Sequence, residues 1–279
     1  MNINKILSLL VLLSAAFYQN IFSSQDKIKM YAIYTPTHQT FVENWFLPSI
    51  KDDYEVILEK HDQLSSTGAF AKEGWRETML FKIDVVIRGI RENWNKIFIH
   101  SDVDIQFFKP TKEIIVALMH DKDMAIQLNN PKNGEMCAGF FACRGNQKNL
   151  DLWLEIRRRL TDKKYLEKNP KTHDQAELNR LVRNENVYHL KWDYLPIEFY
   201  CPRGGWNPGR ALDIPNNLIM HHANWTIGIK NKLSQLEYVK SHVLKSTYGI
   251  HAHKTMTRTP EFAYCSVPEE ITIESGIWY

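Results

Sequence analysis

The amino-acid sequence predicts an α/β protein with a largely parallel sheet and helices on its faces. From residue 28 onward, segments typical of strands and helices alternate in the order strand, helix, strand, helix, strand. The second of these helices has apolar residues at helical spacing over residues 75–90. The apolar run that follows, "IFIHSDVDIQFF" at 97–108, is typical of a buried strand. Such alternation predicts parallel strands joined by helical crossovers.

The first half of the chain supplies these elements in order. Residues 28–35 ("IKMYAIYT") predict a buried strand that ends in polar residues, residues 39–50 predict a helix, and residues 54–60 predict a second strand. The apolar residues of the next helix recur on one face: Met79, Ile83, Val86, Ile87 and Ile90. The strand at 97–108 then completes the alternating unit.

The second half of the chain continues with further strands and helices. Strands are predicted at 123–128, at 136–144 and at 217–225, and the small residues within 136–144 indicate that something packs closely there. Helices are predicted at 149–160 and from residue 174 to about residue 182. No internal repeat interrupts this pattern.

The composition excludes some classes of partner. Hydrophobic residues make up 44% and charged residues 24% of the 279 residues, which is ordinary for a globular protein. The formal net charge of +3 is too small to indicate nucleic acid as the main partner. The basic run at 157–159 falls within a helical pattern and is most simply a solvated face.

Three regions are predicted along the chain. Residues 1–25 carry an apolar stretch that is typical of a signal peptide and short for a membrane span of roughly 17–25 residues; an uncleaved signal anchor is the alternative. Residues 26–245 form the globular domain, and residues 246–279 an irregular C-terminal extension. We therefore expect a translocated protein, located in the secretory-pathway lumen, in the periplasm or outside the cell. Membrane contact is expected only if the leader remains as an anchor.

The four cysteines are compatible with an oxidising compartment. They are Cys137, Cys143, Cys201 and Cys265. Because the chain contains no CxxC pair, the sequence does not predict a structural zinc site. A disulfide between Cys201 and Cys265 is compatible with the sequence but is not assigned by it.

Two carboxylates interrupt the apolar strand at 97–108. Within one strand, Asp102 and Asp104 would point to the same face, because strand side chains alternate. They follow the apolar half of the strand, and open α/β sheets bind ligands beyond the carboxyl ends of their strands. This DxD motif predicts a hard-oxygen site for Mn²⁺ or Mg²⁺, which could in turn hold a diphosphate. The alternative is a structural pair bound by backbone N–H groups or lysines.

Two later segments add candidate partners for this site. The segment "HHANWTIGIKNK" (221–232) offers a histidine at a strand end, then a glycine turn, then Lys230 and Lys232. These groups could complete a cation site and neutralise phosphate oxygens, whereas a purely structural histidine is the alternative. The segment "HDQAELN" places Asp174 and Gln175 where a loop meets a helix, and an N-cap is the alternative role for the aspartate.

Five motifs occur in an order that resembles a known family. They are "SDVDIQFFKP", "CAGFFACRGN", "HDQAELN", "WDYLP" and "HHANWTIGIK". Over roughly residues 28–235 the chain resembles nucleotide-diphospho-sugar transferases, specifically those related to plant xylosyl- and arabinosyltransferases and, more distantly, to glycogenin-like enzymes. The resemblance implies a GT-A-like, Rossmann-type fold with a mixed, mostly parallel sheet flanked by helices.

The resemblance also implies a role for each matched residue at the metal. Asp102 would contact the nucleotide ribose or the metal, and Asp104 would bind the metal directly. His222 would be the family's late metal-binding histidine, with His221 as the alternative one position earlier. Either Lys230 or Lys232 would hold the diphosphate.

Further matched residues would surround the sugar and the base. Asp174 and Gln175 match a pair beside the donor sugar and are the catalytic candidates. Tyr34 and Thr35 end the first strand, where relatives hold the base. Lys82 would contact phosphate or sugar, with Arg76 as a second choice. In a departure from many relatives, Cys137 replaces an asparagine, so we expect donor-sugar recognition to differ.

The implied activity is a metal-dependent, retaining glycosyl transfer. A hexose or pentose would move from a nucleotide-diphospho-sugar, expected to be UDP-linked, to a hydroxyl of a glycan, protein or lipid acceptor, with Mn²⁺ or Mg²⁺ as cofactor. Two alternatives stay open. One is a non-catalytic nucleotide-sugar-binding module. The other is a DxD phosphatase whose first aspartate is a nucleophile, although no later acidic pair supports it.

Overall fold

A computed structural model of the protein describes residues 27–64 and 74–247. The predicted leader at 1–25 and the sequence after Thr247, which includes Cys265, lie outside these residues, so the predictions made for them stay predictions. The last helix ends at Thr247, and the first two residues of the predicted extension, 246 and 247, are therefore helical.

The strands of the described residues form two sheets. They are β1 (Lys29–Tyr34), β2 (Glu55–Lys60), β3 (Ile97–Ser101), β4 (Ile105–Phe107), β5 (Met124–Asn130), β6 (Glu135–Arg144), β7 (Trp192–Tyr194), β8 (Phe199–Tyr200) and β9 (Met220–His222). The six-stranded sheet has the order β2-β1-β3-β6-β5-β7, and the three-stranded sheet has the order β4-β9-β8. In the larger sheet β6 runs antiparallel to β3 and β5, whereas the other pairs are parallel.

Helices connect the strands and cover both faces of the larger sheet. They are α1 (a run of short helical pieces over residues 36–49), α2 (Trp75–Glu92), α3 (Lys112–Leu118), α4 (Gln147–Thr161), α5 (Lys163–Lys168), α6 (Asp174–Leu178, continued by a π-helical turn, Asn179–Asn184) and α7 (Ile229–Thr247). The predicted fold class, a mixed and mostly parallel α/β sheet flanked by helices, is confirmed. No helix in the described part of the chain is both long enough and apolar enough to cross a membrane.

Two hydrophobic cores lie on opposite faces of the larger sheet. Along β1, Tyr31 and Ile33 point into the core formed with α2 and α4, while Met30 and Ala32 point into the other core. This second core is closed by α1, α3, α7 and the smaller sheet. Because both faces are covered, the strands of the larger sheet are almost continuously apolar, as parallel strands usually are.

Helix α2 shows how the sequence pattern becomes packing. Ile83, Val86 and Ile90 recur on one face, as predicted, and all three side chains are fully buried. Each such burial contributes about 1.5–3 kcal/mol relative to an exposed side chain. Lys82 lies on the same helix and is also buried, at 4% exposure. Its ammonium group reaches the carboxyl ends of the strands, where the candidate site lies.

The structure corrects the predicted strand at 97–108. β3 ends at Ser101 in the larger sheet, and β4 begins at Ile105 in the smaller sheet. Asp102 and Asp104 therefore lie in the link between the sheets, and the prediction that the alternation of one strand places them on the same face is wrong. At the start of the smaller sheet the carbonyl of Asp104 accepts a hydrogen bond from the backbone N–H of Ala223, at 3.0 Å, which extends the pairing of β4 with β9.

Two other elements end at residues that differ from the predicted ones. The late strand predicted at 217–225 is reduced to β9, because the chain turns after it and Trp225 adopts a left-handed φ of 61°. The helix predicted to continue to about residue 182 extends to Asn184 through its π-helical turn. In that turn the side chain of Asn179 bonds both the N–H and the C=O of Met136, at 2.9 and 3.1 Å, which fixes α6 against β6.

Candidate functional site

The candidate site lies at the edge of the larger sheet where the parallel strands end. Thr35 follows β1 and Asp102 follows β3, both at their carboxyl ends. β6 is antiparallel, so its early residues, including Gly139, reach the same edge. This is the edge at which open α/β sheets bind ligands.

The smaller sheet brings His222 to the two aspartates. Ile105 in β4 is the register partner of His222 in β9, so His222 lies beside the link that carries the carboxylates. Its Nε2 atom is 3.3 Å from Oδ1 of Asp104 and 3.7 Å from Oδ2 of Asp102. Donor atoms of Asp102, Asp104 and His222 all lie within 4.8 Å of one another.

Gly139 leaves the space that this arrangement needs. The backbone N–H of Asp102 donates to the carbonyl of Gly139 at 2.6 Å. A Cβ atom at position 139 would collide with Cε1 of His222 and would lie 2.6 Å from Oδ2 of Asp102. The close packing that the small residues of 136–144 indicated is therefore the packing of β6 against the candidate ligands.

The first aspartate of the pair and Asp174 share one buried lysine. Nζ of Lys82 is 3.3 Å from Oδ1 of Asp102 and 3.0 Å from Oδ2 of Asp174. Burial lowers the pKa of Lys82, but the two carboxylates outweigh it and raise the pKa above its usual range. Burial raises the pKa of Asp174, and Lys82 and His173 together hold it well below its usual range. The three groups therefore form a charged, buried unit.

The structure distinguishes between the two candidate lysines of the late segment. Lys232 is half-buried and forms an ion pair with Oδ2 of Asp104, whereas Lys230 is exposed. Burial raises the pKa of Asp104, but Lys232 and His222 reverse this effect and hold the pKa well below its usual range. Lys232 is thus the lysine that the fold brings to the site.

The two adjacent histidines have opposite surroundings. Burial lowers the pKa of His222, but the charge of Asp104 outweighs burial and raises the pKa to about 10. His221 points to the other side of β9, where Nε2 lies 3.2 Å from Nε2 of Gln235, and burial lowers its pKa to about 3. The alternative that His221 is the candidate ligand is therefore wrong, because strand alternation turns it away from the carboxylates.

Gln127 fixes which ring nitrogen of His222 faces the carboxylates. The Nε2 amide group of Gln127 donates to the carbonyl of Phe199 at 2.9 Å, so its Oε1 atom must face His222. That oxygen lies 3.0 Å from Nδ1 of His222 and can only accept. Nδ1 therefore keeps its hydrogen, and the lone pair of a neutral ring is on Nε2, directed at the aspartates.

Gln175 and Asp174 begin helix α6 beside β6. Asp174 is the first helical residue and His173 holds the N-cap position without a side-chain cap, so the N-cap role considered for Asp174 is wrong. Oε1 of Gln175 accepts a hydrogen bond from the backbone N–H of Ala138 at 3.2 Å, and its amide donates to Glu135. Both residues therefore border the strand that carries Gly139.

Residues at the end of β1 form the other wall of the site. Tyr34 is half-buried and Thr35 is buried, with its hydroxyl 3.0 Å from Nδ1 of His38. Burial lowers the pKa of His38; the charges of Asp104 and Asp102 partly oppose this effect, and the charge of Lys232 adds to it. Arg76, the second choice for a phosphate contact, is half-buried at the start of α2.

The donor set fits a divalent cation. Two carboxylates and one imidazole nitrogen are ligands of ions such as Mn²⁺ and Mg²⁺, with carboxylate oxygens as the preferred partners. Gly139 leaves room for the side chains of His222 and Asp102. His222 also uses its second ring nitrogen to bond Gln127, as metal-binding histidines commonly do with a neighbouring group. Asp102 is 32% exposed, so an ion has access to the ligands from solvent.

Several site residues were not predicted from the sequence. Gln127 and His38 carry no motif, because a lone glutamine in a strand or a lone histidine after a strand has many roles. His100 is completely buried, and its Nε2 lies 3.6 Å from Oδ1 of Asp102. The sequence indicates a role for His100 only through its position in β3, two residues before Asp102. Asp102 itself is kept ionised, because Lys82 and His100 offset the effect of burial on its pKa.

Comparison with known proteins gives one match over most of the domain. The model of a family described as nucleotide-diphospho-sugar transferase matches residues 35–236. No curated protein matches the chain in sequence.

Solved structures that match this chain do so at low sequence identity. The glycosyltransferase GlyE of Streptococcus pneumoniae TIGR4 shares 11% identity over 80% of this chain and 63% of its own, with a TM-score of 0.46. A glycosyltransferase involved in the glycosylation of the major capsid of PBCV-1 shares 10% identity over 77% of this chain and 99% of its own, with a TM-score of 0.48. The bifunctional WbbM shares 9% identity over 81% of this chain and 52% of its own, with a TM-score of 0.45. The chain thus spans less than two thirds of the length of GlyE and of WbbM.

Proposed function

The chain belongs to the nucleotide-diphospho-sugar transferase family, and from this premise we propose that it is a metal-dependent, retaining glycosyltransferase that uses a UDP-linked sugar. The proposed acceptor is a hydroxyl group of a glycan, a protein or a lipid. The proposed location is the one expected from the leader, on the far side of a membrane from the cytosol.

The convergence of Asp102, Asp104 and His222 carries this proposal. The two aspartates lie in the link between the sheets and His222 lies in β9, more than a hundred positions later in sequence, yet their donor atoms lie within 4.8 Å of one another. Both carboxylates already pair with lysines, Asp102 with Lys82 and Asp104 with Lys232. What supports a cation site is the third group: once His222 has lost the hydrogen on Nε2, its lone pair there is directed at both carboxylates.

Each residue of the cluster has a role in binding the donor. Asp102, Asp104 and Nε2 of His222 would hold Mn²⁺ or Mg²⁺, whose chemistry is Lewis-acid stabilisation of the leaving diphosphate. Lys232 pairs with Asp104 in the free protein, and its ammonium group is available to phosphate oxygens when an ion takes over the carboxylate. A fixed positive charge beside the leaving group stabilises the charge that develops there.

The buried unit around Lys82 would hold the donor sugar. Lys82 keeps Asp174 ionised and in position, and Gln175 lies beside Ala138 of β6. We assign this pair to the pocket for the sugar, with Gln175 next to the anomeric carbon. Because the reaction is proposed to retain configuration, no carboxylate base is assigned, and a phosphate oxygen of the leaving group accepts the proton of the acceptor hydroxyl.

The metal dependence is tested by measuring UDP release from a panel of UDP-sugars. We expect the full-length protein to release UDP with Mn²⁺, to lose this activity in EDTA, and to regain it when Mn²⁺ is added in excess. Undiminished turnover in EDTA would reject the role of the cluster. Saturable binding of UDP-sugar without any release would identify the non-catalytic module instead. The configuration of the product, followed by proton NMR, tests retention.

A second prediction concerns the support of His222 by Gln127. Replacing Gln127 with methionine removes the acceptor that keeps the hydrogen on Nδ1, and losses of this kind weaken metal binding by roughly 10–100-fold. Gln127→Glu, which keeps an acceptor at this position, should retain the affinity. Calorimetric titration with Mn²⁺ provides the measurement.

Gln235→Met is the matched control for this prediction. Gln235 is also fully buried and also bonds a histidine, but that histidine is His221, on the other side of β9. Its replacement should lower stability without changing the affinity for Mn²⁺. Equal affinities in Gln127→Met and the unmodified protein would show that the hydrogen bond does not orient the ligand.

A further inference from the structure

A second group of donor atoms lies on the opposite side of the His222 ring. Cys137 and Cys201 are buried, and neither forms a disulfide with another cysteine of residues 27–64 and 74–247. Sγ of Cys137 lies 3.5 Å from Nδ1 of His222, and the donor atoms of Cys137, Cys201 and His222 all lie within 4.8 Å of one another. The thiol of Cys137 lies beside Nδ1 of His222, and the carboxylates of the proposed function lie beside Nε2.

We propose that Cys137, Cys201 and Nδ1 of His222 form a second cation site, selective for a soft divalent ion such as Zn²⁺ or Cd²⁺. Two thiolates and an imidazole are the ligands these ions prefer, whereas Mn²⁺ and Mg²⁺ prefer carboxylates. With Zn–S and Zn–N bonds of about 2.3 and 2.0 Å, tetrahedral angles place sulfur and nitrogen about 3.5 Å apart. The separation of Cys137 from His222 therefore fits such a site in the free protein.

Binding at this site has a defined proton balance. Each thiol releases one proton to solvent as its sulfur coordinates the ion, because the thiolate is the ligand, and His222 releases the hydrogen on Nδ1 and keeps the one on Nε2. In the free protein the thiols instead take part in a neutral network: Sγ of Cys201 lies 3.4 Å from Oδ1 of Asn129, and Asn224 donates to both sulfurs. These contacts hold the two sulfurs together without an ion.

The two cation sites cannot both use His222. A neutral imidazole has one lone pair, so a soft ion on Nδ1 leaves the hydrogen on Nε2, facing Asp102 and Asp104. The ring then no longer serves as a ligand on the carboxylate side, and its hydrogen bond to Gln127 is lost. A soft ion would therefore weaken Mn²⁺ binding without occupying the same position. This coupling rests on the proposed function, whereas the thiol site itself does not.

Titration with Cd²⁺ tests the thiol site directly, through the ultraviolet charge-transfer band between thiolate and Cd²⁺. The full chain carries Cys265→Ser throughout, so that the thiol outside the described residues does not contribute, and a phosphine reductant keeps the others reduced. We expect the band to saturate at one Cd²⁺ per chain. Cys137→Ser and Cys201→Ser should each weaken Cd²⁺ binding at least about tenfold, since each removes one ligand.

Cys143→Ser is the matched control. Cys143 is equally buried, but its thiol donates to the carbonyl of Arg144 and belongs to no cation cluster of the described residues. It should leave the band unchanged. Absence of the band, or its persistence when Cys137 and Cys201 are both replaced, would overturn the proposal. Should a variant fold poorly, cadmium NMR of the parent chain decides the question, because its chemical shift separates two-sulfur ligation from oxygen ligation.

A competition experiment separates the two proposals. Free Mn²⁺ is measured by electron paramagnetic resonance while Cd²⁺ is added to the Cys143→Ser chain and to the chain lacking Cys137 and Cys201. We expect Cd²⁺ to release Mn²⁺ at lower concentration from the chain that keeps both thiols. A Cd²⁺ band without any Mn²⁺ binding would contradict the proposed function and would still support the thiol site. Equal release from both chains would reject the coupling.

Discussion

Asp104→Asn is expected to abolish measurable Mn²⁺ binding and to lower UDP-sugar turnover by more than about 100-fold. Loss of an outer partner of a metal ligand alone costs roughly 10–100-fold, and Asp104 is itself a proposed ligand. Its carboxylate is 4% exposed, with one oxygen 3.3 Å from Nε2 of His222 and the other paired with Lys232. An amide of the same shape supplies neither the charge nor the second acceptor. Calorimetry with Mn²⁺ and UDP release give the two readouts.

Asp84→Asn is the control for this change. Asp84 makes an exposed ion pair with Arg157 on the surface between α2 and α4, so its loss should alter stability by no more than about 1 kcal/mol and leave both readouts unchanged. Thermal unfolding of each variant shows whether the fold is retained. If the Asp104→Asn protein is folded and binds Mn²⁺ with the original affinity, Asp104 is not a ligand of the ion.

Lys82→Met is expected to destabilise the protein by about 3–5 kcal/mol, because it leaves a buried carboxylate without its partner. Lys82 and Asp174 have side-chain exposures of only 5% each, and their charged atoms are 3.0 Å apart. Methionine fills a similar volume, so the loss is electrostatic rather than a cavity. Urea unfolding at neutral pH measures the change.

Lys112→Met provides the matched control for Lys82. Lys112 pairs with Asp53 at 2.8 Å, but the two side chains are 32% and 58% exposed. Such surface pairs contribute about 0–1 kcal/mol. If Lys82→Met were no more harmful than Lys112→Met, the buried charged unit would not stabilise the fold.

The pH dependence of Lys82→Met has a defined sign. In the unmodified protein burial opposes ionisation of Asp174, but Lys82 and His173 hold its pKa well below the ordinary value. Its contribution to stability is therefore present above about pH 4, where the unfolded carboxyl ionises, and is lost on acidification below that. Without Lys82, burial raises the pKa of Asp174, so its contribution is greatest at low pH and lost as the pH rises. The stability difference between the two proteins should shrink as the pH falls towards about 4.

The elements with strong periodicity could be predicted from the sequence, and the change of sheets could not. Helix α2 follows directly from the spacing of Ile83, Val86 and Ile90. The stretch at 97–108 has apolar residues on both sides of Asp102 and Asp104, and this pattern is compatible with one long strand as well as with β3 and β4. After the break the chain pairs with a different strand, β9, and Asp104 bonds Ala223, which is far from it in sequence. A tertiary contact of this kind leaves no local pattern.

The same reasoning explains which site residues could be predicted. Charged and metal-binding side chains in short motifs, such as Asp104 and His222, were named from the sequence, and the fold brings them together. Gln127 and Cys201 were not assigned to the site, because a hydrogen-bonded glutamine or a buried thiol is common in any core. Their importance arises only from their distance to His222 and its neighbours. The sequence does not show which of Lys230 and Lys232 reaches the site. The structure does, because the first turn of α7 directs Lys232 towards Asp104.

The backbone of the ion ligands is built into the sheets. Asp102 is held through its N–H to Gly139, and Asp104 through its carbonyl to Ala223. The proposed ligands are therefore tied at their backbone to strands of the core. Saturating the site would add its binding free energy to the global stability, about 2.7 kcal/mol at an ion concentration 100 times Kd. If Asp102, Asp104 and His222 hold an ion as proposed, a shortage of that ion would lower the stability of the folded chain in addition to halting turnover.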